Sequence, residues 1–130
     1  MEKEFVEYAE ALTLRELGFD KPCLGYYVGK DKEVYISNET LSAPFKFRLE
    51  SKTTFVAPLY QQTFKWFREK YKYSSYIKEA TKDKYRFYIE KFDEKFYNSE
   101  ILIYEKAELE CLKKLIEIVK NDVELQTKNN

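Results

Sequence analysis

Aromatic and basic side chains occur together in the middle of the chain, in a combination that could bind a flat, negatively charged ligand. Trp66, Arg68 and Lys70 occupy every second position from 66 to 70, and Tyr71 follows directly. A pocket for a phosphorylated base needs aromatic rings for stacking and Arg or Lys donors for the phosphate oxygens. The same rings at helical spacing are also typical of a buried core, so both interpretations stay open for Trp66.

Two further pairs of residues could contribute to such a pocket. Tyr26 and Tyr27 are adjacent in a predicted strand, where neighbouring side chains point to opposite sides and only one of the two can enter the core. Gln61 and Gln62 could hydrogen-bond a base edge or a ribose, although glutamines are also common on helix surfaces. The candidate ligand-binding residues are Tyr26, Tyr27, Gln61, Gln62, Trp66, Arg68 and Lys70.

The residues that perform most protein catalysis are missing. The chain has no histidine, and its two cysteines, Cys23 and Cys111, are too far apart for a metal-binding or redox motif. Its three glycines form no glycine-rich loop that could cradle a phosphate through backbone N–H groups. The sequence therefore predicts no catalytic residue, no metal site and no cofactor, and it favours a binding protein over an enzyme.

Composition limits the size and the partners of the protein. Its 130 residues fit one compact domain, which we expect over residues 1–125, with a disordered polar tail at 126–130. The 23 basic residues balance 23 acidic ones, so duplex DNA is not an expected partner. No segment has the signature of a secretory signal or of a membrane span, so we expect no membrane partner and a cytoplasmic location.

Apolar periodicity and a few breakers define the elements that would position these residues. Helical spacing predicts three helices. The first covers about 5–17 and is ended by Gly18, and the second covers about 57–71 and is opened by Ala57 and Pro58. The third lies in a C-terminal segment that starts near Ser99 or Tyr104. Runs of aromatic and β-branched residues predict two hairpins, over 23–36 and 73–89, whereas 37–52 is ambiguous, with 45–49 as an edge strand or a loop. The order α-β-β-α-β-β-α predicts an α+β fold, an antiparallel sheet of about four to five strands packed by three helices.

Three blocks of this sequence resemble a family of small proteins from phages and prophages of gut Bacteroidota. The blocks are LRELGFDKPCLGYY at 14–27, APLYQQTFKWFREKY at 57–71 and YEKAELECLKKLIEIVK at 104–120. Together they cover 46 of the 130 residues, and the first two in this order carry the resemblance, because the third is an ordinary amphipathic helix.

A small phage protein without a catalytic motif is similar in kind to phage sponges, which sequester nucleotide signals of bacterial immunity. By this analogy the expected partner is a small nucleotide-like ligand, of the cyclic ADP-ribose type or a cyclic dinucleotide, held in the cytoplasm of the infected or lysogenic host. Such pockets are commonly assembled between subunits, which allows a homo-oligomer. The alternatives are an interaction module that inhibits a host protein through exposed aromatic residues and, with less weight, a single-stranded nucleic-acid binder.

Overall fold

A computed structural model describes residues 2–41, 54–92 and 94–128 of the chain. A short 3-10 helix at Glu2–Glu4 precedes nine longer elements in the described residues. These are α1 (Tyr8–Glu16), β1 (Cys23–Val28), β2 (Tyr35–Leu41), β3 (Thr54–Ala57), α2 (Tyr60–Tyr71), β4 (Ser74–Thr81), β5 (Lys84–Lys91), β6 (Glu94–Asn98) and α3 (Tyr104–Lys128). The prediction of an α+β fold with three α-helices is confirmed.

The predicted strand count was too low, because the described residues form six strands in two antiparallel sheets of three. One added strand is β3, whose Phe55 and Val56 favour extended backbone and pair with β1. Ala57 therefore ends a strand instead of opening a helix, and α2 begins at Tyr60, after Pro58. The other added strand is β6, which pairs with β5.

Two compact units make up the chain, 1–62 and 63–130, and α2 begins in the first and continues into the second. In the first unit the sheet order is β2-β1-β3, and α1 packs on β3. The end of α1 matches the sequence prediction: Gly18 has φ 95°, its N–H donates to Arg15 O, and Phe19 N–H donates to Leu14 O. This pair of bonds is the Schellman arrangement that glycine permits at a helix end.

In the second unit α3 packs on one face of the β4-β5-β6 sheet, mainly against β5 and to a smaller extent against β4. Phe87 and Ile89 of β5 are buried, as strand alternation requires for the side of the sheet that carries the helix. The helical spacing that predicts α3 begins at Tyr104, which is 38% exposed, and its later positions are buried: Ala107, Cys111, Leu112, Leu115, Ile116 and Val119. The buried side of α3 is thus the main apolar partner of this sheet.

Some predictions about domains and chain ends stay predictions. The single domain expected over 1–125 is one of them, and the two units are therefore described separately below. Helical backbone continues to Lys128, three residues into the segment expected to be a tail. The ambiguous segment at 45–49 lies outside the described residues. Among the helices described here, none has the length and apolar character needed to cross a membrane.

Candidate functional site

A groove of about 590 Å³ opens in the second unit, along the edge of the sheet that α3 leaves uncovered. Tyr97 of β6 and three residues of the segment after it, Ser99, Glu100 and Leu102, line this groove opposite residues of α3. Phe87 and Tyr97 form the sheet side, with ring centroids 5.5 Å apart and planes 25° apart, and Tyr97 is 37% exposed. The volume lies within the range of small-molecule sites, roughly 300–1,000 Å³.

The segment after β6 fixes one end of this groove. Ser99 is buried, and its hydroxyl accepts a hydrogen bond from Phe87 N–H at 2.9 Å and donates one to Glu100 O at 2.7 Å. Leu102 pairs with Tyr85 through two backbone bonds of 2.7 Å. These bonds fix the backbone of the groove-lining residues Ser99, Glu100 and Leu102.

Charged residues of alternating sign line the helix side of the groove. Lys106 Nζ lies 3.2 Å from a carboxylate oxygen of Glu110, and Lys113 Nζ lies 3.9 Å from the same oxygen. One turn further along, Lys114 Nζ is 3.3 Å from Glu117 and 4.7 Å from the centre of the Tyr97 ring. The three lysines therefore converge on one wall, and two of them share a single carboxylate.

The ion pairs on this wall hold its side chains only weakly. Exposed ion pairs three or four residues apart on a helix contribute only about 0.3–0.5 kcal/mol each. Lys114 over Tyr97 supplies a cation–π contact worth roughly 0.5–1 kcal/mol at an exposed site. The groove thus offers phosphate-binding cations next to an aromatic pair.

Three of the sequence-predicted residues lie on α2 in the second unit, and the structure brings two of them together. Lys70 Nζ lies 5.0 Å from the centre of the Trp66 ring and 5.5 Å from that of Tyr71. Trp66 is only 4% exposed and contacts Phe67 edge-on, with centroids 5.2 Å apart. Arg68 is exposed, and a residue two positions away on a helix does not lie on the same side.

The two predicted tyrosines occupy opposite sides of β1, as alternation requires. Tyr27 is 4% exposed and its hydroxyl donates to Val6 O at 2.7 Å, which favours a structural role in the first unit. Tyr26 is half-buried and pairs across the strands with Tyr35, where the two rings stack with centroids 5.7 Å apart. The expectation that only one of them enters the core is confirmed.

The two predicted glutamines also differ in their surroundings. Gln62 accepts a hydrogen bond from Leu59 N–H at 3.0 Å and donates one to Pro22 O at 2.9 Å, so its amide caps the start of α2 and ties it to the residues before β1. Gln61 is exposed. All seven predicted residues remain candidates, four of them in the first unit and three in the second.

Neither cysteine is placed for nucleophilic chemistry. Both are buried, and burial raises the pKa of Cys23 and that of Cys111 to about 12 each. The Cys23 thiol also donates to Lys21 O at 3.3 Å. The thiolate is the reactive form, so both side chains are inert at neutral pH. Within the described part of the chain, no cluster of three or more Cys, Asp or Glu residues could hold a metal ion.

Sequence reasoning missed the groove because it named no candidate residue on the C-terminal helix. The missed residues on that helix are Lys106, Glu110, Lys113, Lys114 and Glu117. Their signal was present as a run of Lys and Glu at three- and four-residue spacing on the polar side of the helix. Such a run ordinarily marks a solvated surface, and only the position of β6 turns it into the wall of a groove.

No protein family, curated protein or solved structure matches this chain.

Proposed function

We propose that this protein is a non-enzymatic ligand-binding protein that sequesters a nucleotide-like signal in the groove between α3 and the β6 edge. The observation that carries the proposal is the convergence of Lys106, Lys113 and Lys114 beside the Phe87–Tyr97 pair, in a space of about 590 Å³. Lysine ammonium groups bind phosphate oxygens as point charges, and aromatic pairs supply apolar area for a base.

The phosphate would take the place that Glu110 now occupies. Lys106 and Lys113 both reach one oxygen of that carboxylate, so a phosphate oxygen at the same position would receive both ammonium groups. Glu100, Glu117 and the displaced Glu110 also line the groove, so three carboxylates balance the three lysines, and their charges disfavour a ligand with phosphates spread along its whole length. A compact ligand with its phosphates in one place fits this charge pattern best.

Sequestration, not turnover, is the activity that these residues support. The chain contains no histidine, and both of its thiols are buried with raised pKa values. A protein that only needs to remove a signal requires affinity and a pre-formed site. The resemblance to phage proteins supports an anti-defence role, in which the bound signal would be of the cyclic ADP-ribose or cyclic dinucleotide type, in the host cytoplasm.

A thermal-shift screen against cyclic dinucleotides, ADP-ribose, its cyclic forms and mononucleotides tests this proposal. At a ligand concentration of 100 times Kd, binding adds about 2.7 kcal/mol, or very roughly 10 °C in Tm for a chain of this size. Intact ligand should be recovered after heat denaturation. A cleaved product would make the protein an enzyme, and no shift with any compound would reject the nucleotide proposal.

Variants then separate the groove from the α2 site predicted by sequence. Lys106→Ala with Lys113→Ala should abolish the ligand-induced shift, whereas Lys120→Ala, an exposed position of the same helix outside the groove, should retain it. If Arg68→Ala abolishes the shift and the double variant does not, the ligand binds at α2.

The second candidate, an interaction module, is favoured by apolar side chains exposed on the first sheet. Val28 is 41%, Tyr35 44% and Ile36 45% exposed. Interfaces are enriched in such aromatic and aliphatic residues. Pull-down from host lysate with the wild-type chain and with Ile36→Asp tests this candidate, which predicts a partner that only the wild type retains.

A further inference from the structure

The sheet of the second unit has a face that points away from α3, and that face carries a stacked tyrosine pair. Tyr76 of β4 lies directly opposite Tyr88 of β5, on the side of β5 opposite the buried Phe87 and Ile89. The two rings are parallel within 16°, with centroids 4.8 Å apart, and Tyr76 is 43% exposed. An exposed flat ring on a sheet surface is a platform on which another planar group can stack.

Cations lie next to this platform on the same face. Lys78 pairs directly with Arg86, two residues along the strands from the tyrosines, and Lys84 follows two residues further on β5. Residues of one face follow each other about 6.5–7 Å apart along a strand, so these three cations form a short row that leads away from the rings. Within the described part of the chain, none of the three side chains forms a hydrogen bond or an ion pair.

The glutamates of β4 and β5 lie away from this row. Glu79 points to the opposite face, beside Tyr85, and its carboxylate accepts a hydrogen bond from Asp83 N–H at 3.2 Å. The carboxylate on the tyrosine face is Glu90, at the far end from the cations, where it accepts a hydrogen bond from the Tyr76 hydroxyl at 3.1 Å. Among the described residues of β4 and β5 on this face, three cations therefore stand against one carboxylate.

We propose that this face binds a short stretch of single-stranded nucleic acid. Bases would stack on the Tyr76–Tyr88 pair, and the phosphates on one side of them would bind Lys78, Lys84 and Arg86. A duplex does not fit this mode of binding, because its bases are already stacked on each other and their faces are not open to the tyrosine rings. Repulsion from Glu90 would keep phosphates off the opposite end, so the strand would lie in one direction relative to the rings.

The salt dependence of binding tests the cation row. Fluorescence anisotropy with a labelled 12-nucleotide oligodeoxythymidylate should show affinity that falls with salt. Three phosphate contacts predict a slope of log K against log salt concentration of about −2, since each contact on a single strand contributes about 0.7. Lys84→Ala should make that slope shallower by about 0.7, whereas Lys120→Ala should leave it unchanged.

Substitution of the platform tests stacking. Tyr76→Ala should weaken binding roughly 5- to 150-fold, and Tyr76→Phe, which retains the ring and removes the hydroxyl, should bind like the wild type. Circular dichroism and Tm establish that each variant is folded. The groove variant Lys106→Ala with Lys113→Ala should bind the oligonucleotide normally, which separates this proposal from the nucleotide-sequestration proposal.

Three results would overturn the proposal. The first is the absence of salt-dependent binding of the single strand at low ionic strength. The second is equal binding of a blunt duplex of the same length, and the third is a folded Tyr76→Ala variant with the affinity of the wild type.

Discussion

Replacement of Gly25 by alanine should destabilise the first unit for a steric reason that can be read from the structure. A Cβ atom at this position would lie 2.7 Å from both Cδ1 and Cε1 of Phe5 and 2.9 Å from the backbone oxygen of Ala57. Carbon atoms in contact ordinarily lie about 3.5–4.0 Å apart, so the ring or the strand must move by about 1 Å. Phe5 is only 3% exposed, and Gly25 pairs with Ala57 between β1 and β3, so neither neighbour can yield easily.

Overpacking of this kind lowers the free energy of unfolding by about 1–3 kcal/mol. Alanine also reduces the conformational entropy of the unfolded chain, which raises the free energy of unfolding by about 0.4–1 kcal/mol. We therefore expect Gly25→Ala to lower the free energy of unfolding by about 1–2 kcal/mol. Urea unfolding followed by far-UV circular dichroism should show a midpoint lower by about 0.5–1 M at an m-value near 2 kcal/mol/M.

Two further variants isolate the cause. Gly29→Ala meets no atom within 4 Å but has φ +58°, so it should cost only the backbone strain, about 1 kcal/mol. In a Phe5→Leu background, which shortens the obstructing ring, Gly25→Ala should cost less than in the wild type. A Gly25→Ala variant as stable as the wild type would refute the proposed contact.

Three other predictions follow from buried groups. Tyr27 and Tyr73 are buried with pKa values raised to about 12, by desolvation first and then by nearby carboxylates, so the folded state holds these protons more tightly than the unfolded state. These two groups add no pH dependence just below pH 10, so urea midpoints should fall between pH 10 and 12, and Tyr73→Phe should reduce that fall. Cys23 and Cys111 should react with a disulfide reagent at pH 8 at least about 100-fold more slowly in the native chain than in urea. Ser99→Ala should cost about 1–2 kcal/mol in urea unfolding, because a buried β5 amide loses its acceptor, and an unchanged midpoint would show that water replaces the hydroxyl.

The sequence contained enough information for the helices and for the paired strands of each hairpin. Gly18 marked the end of α1 because left-handed backbone there favours glycine, and the apolar spacing of α3 identified its buried side. The second hairpin, predicted over 73–89, runs from Ser74 to Lys91, with its turn between Thr81 and Lys84. Cross-strand pairing keeps Lys78 and Glu79 extended, although neither residue type favours strands.

The two missed strands show where local pattern stops being informative. Thr54–Ala57 has strand-forming residues, but Pro58 directly after it was also a good start for a helix. Glu94–Asn98 is short and mostly polar or charged, and it becomes a strand because β5 offers it an open edge. Without β6 no sequence argument could place Tyr97 beside α3, so the groove could not be predicted.

Equilibrium dialysis of nucleotide ligands tests the central claim most directly. The wild-type chain should retain one of the cyclic nucleotide signals, intact, and the variant Lys106→Ala with Lys113→Ala should lose that retention while its circular dichroism stays unchanged. Retention of none of the signals by the wild type, release of a cleaved product, or equal retention by the groove variant would contradict the claim.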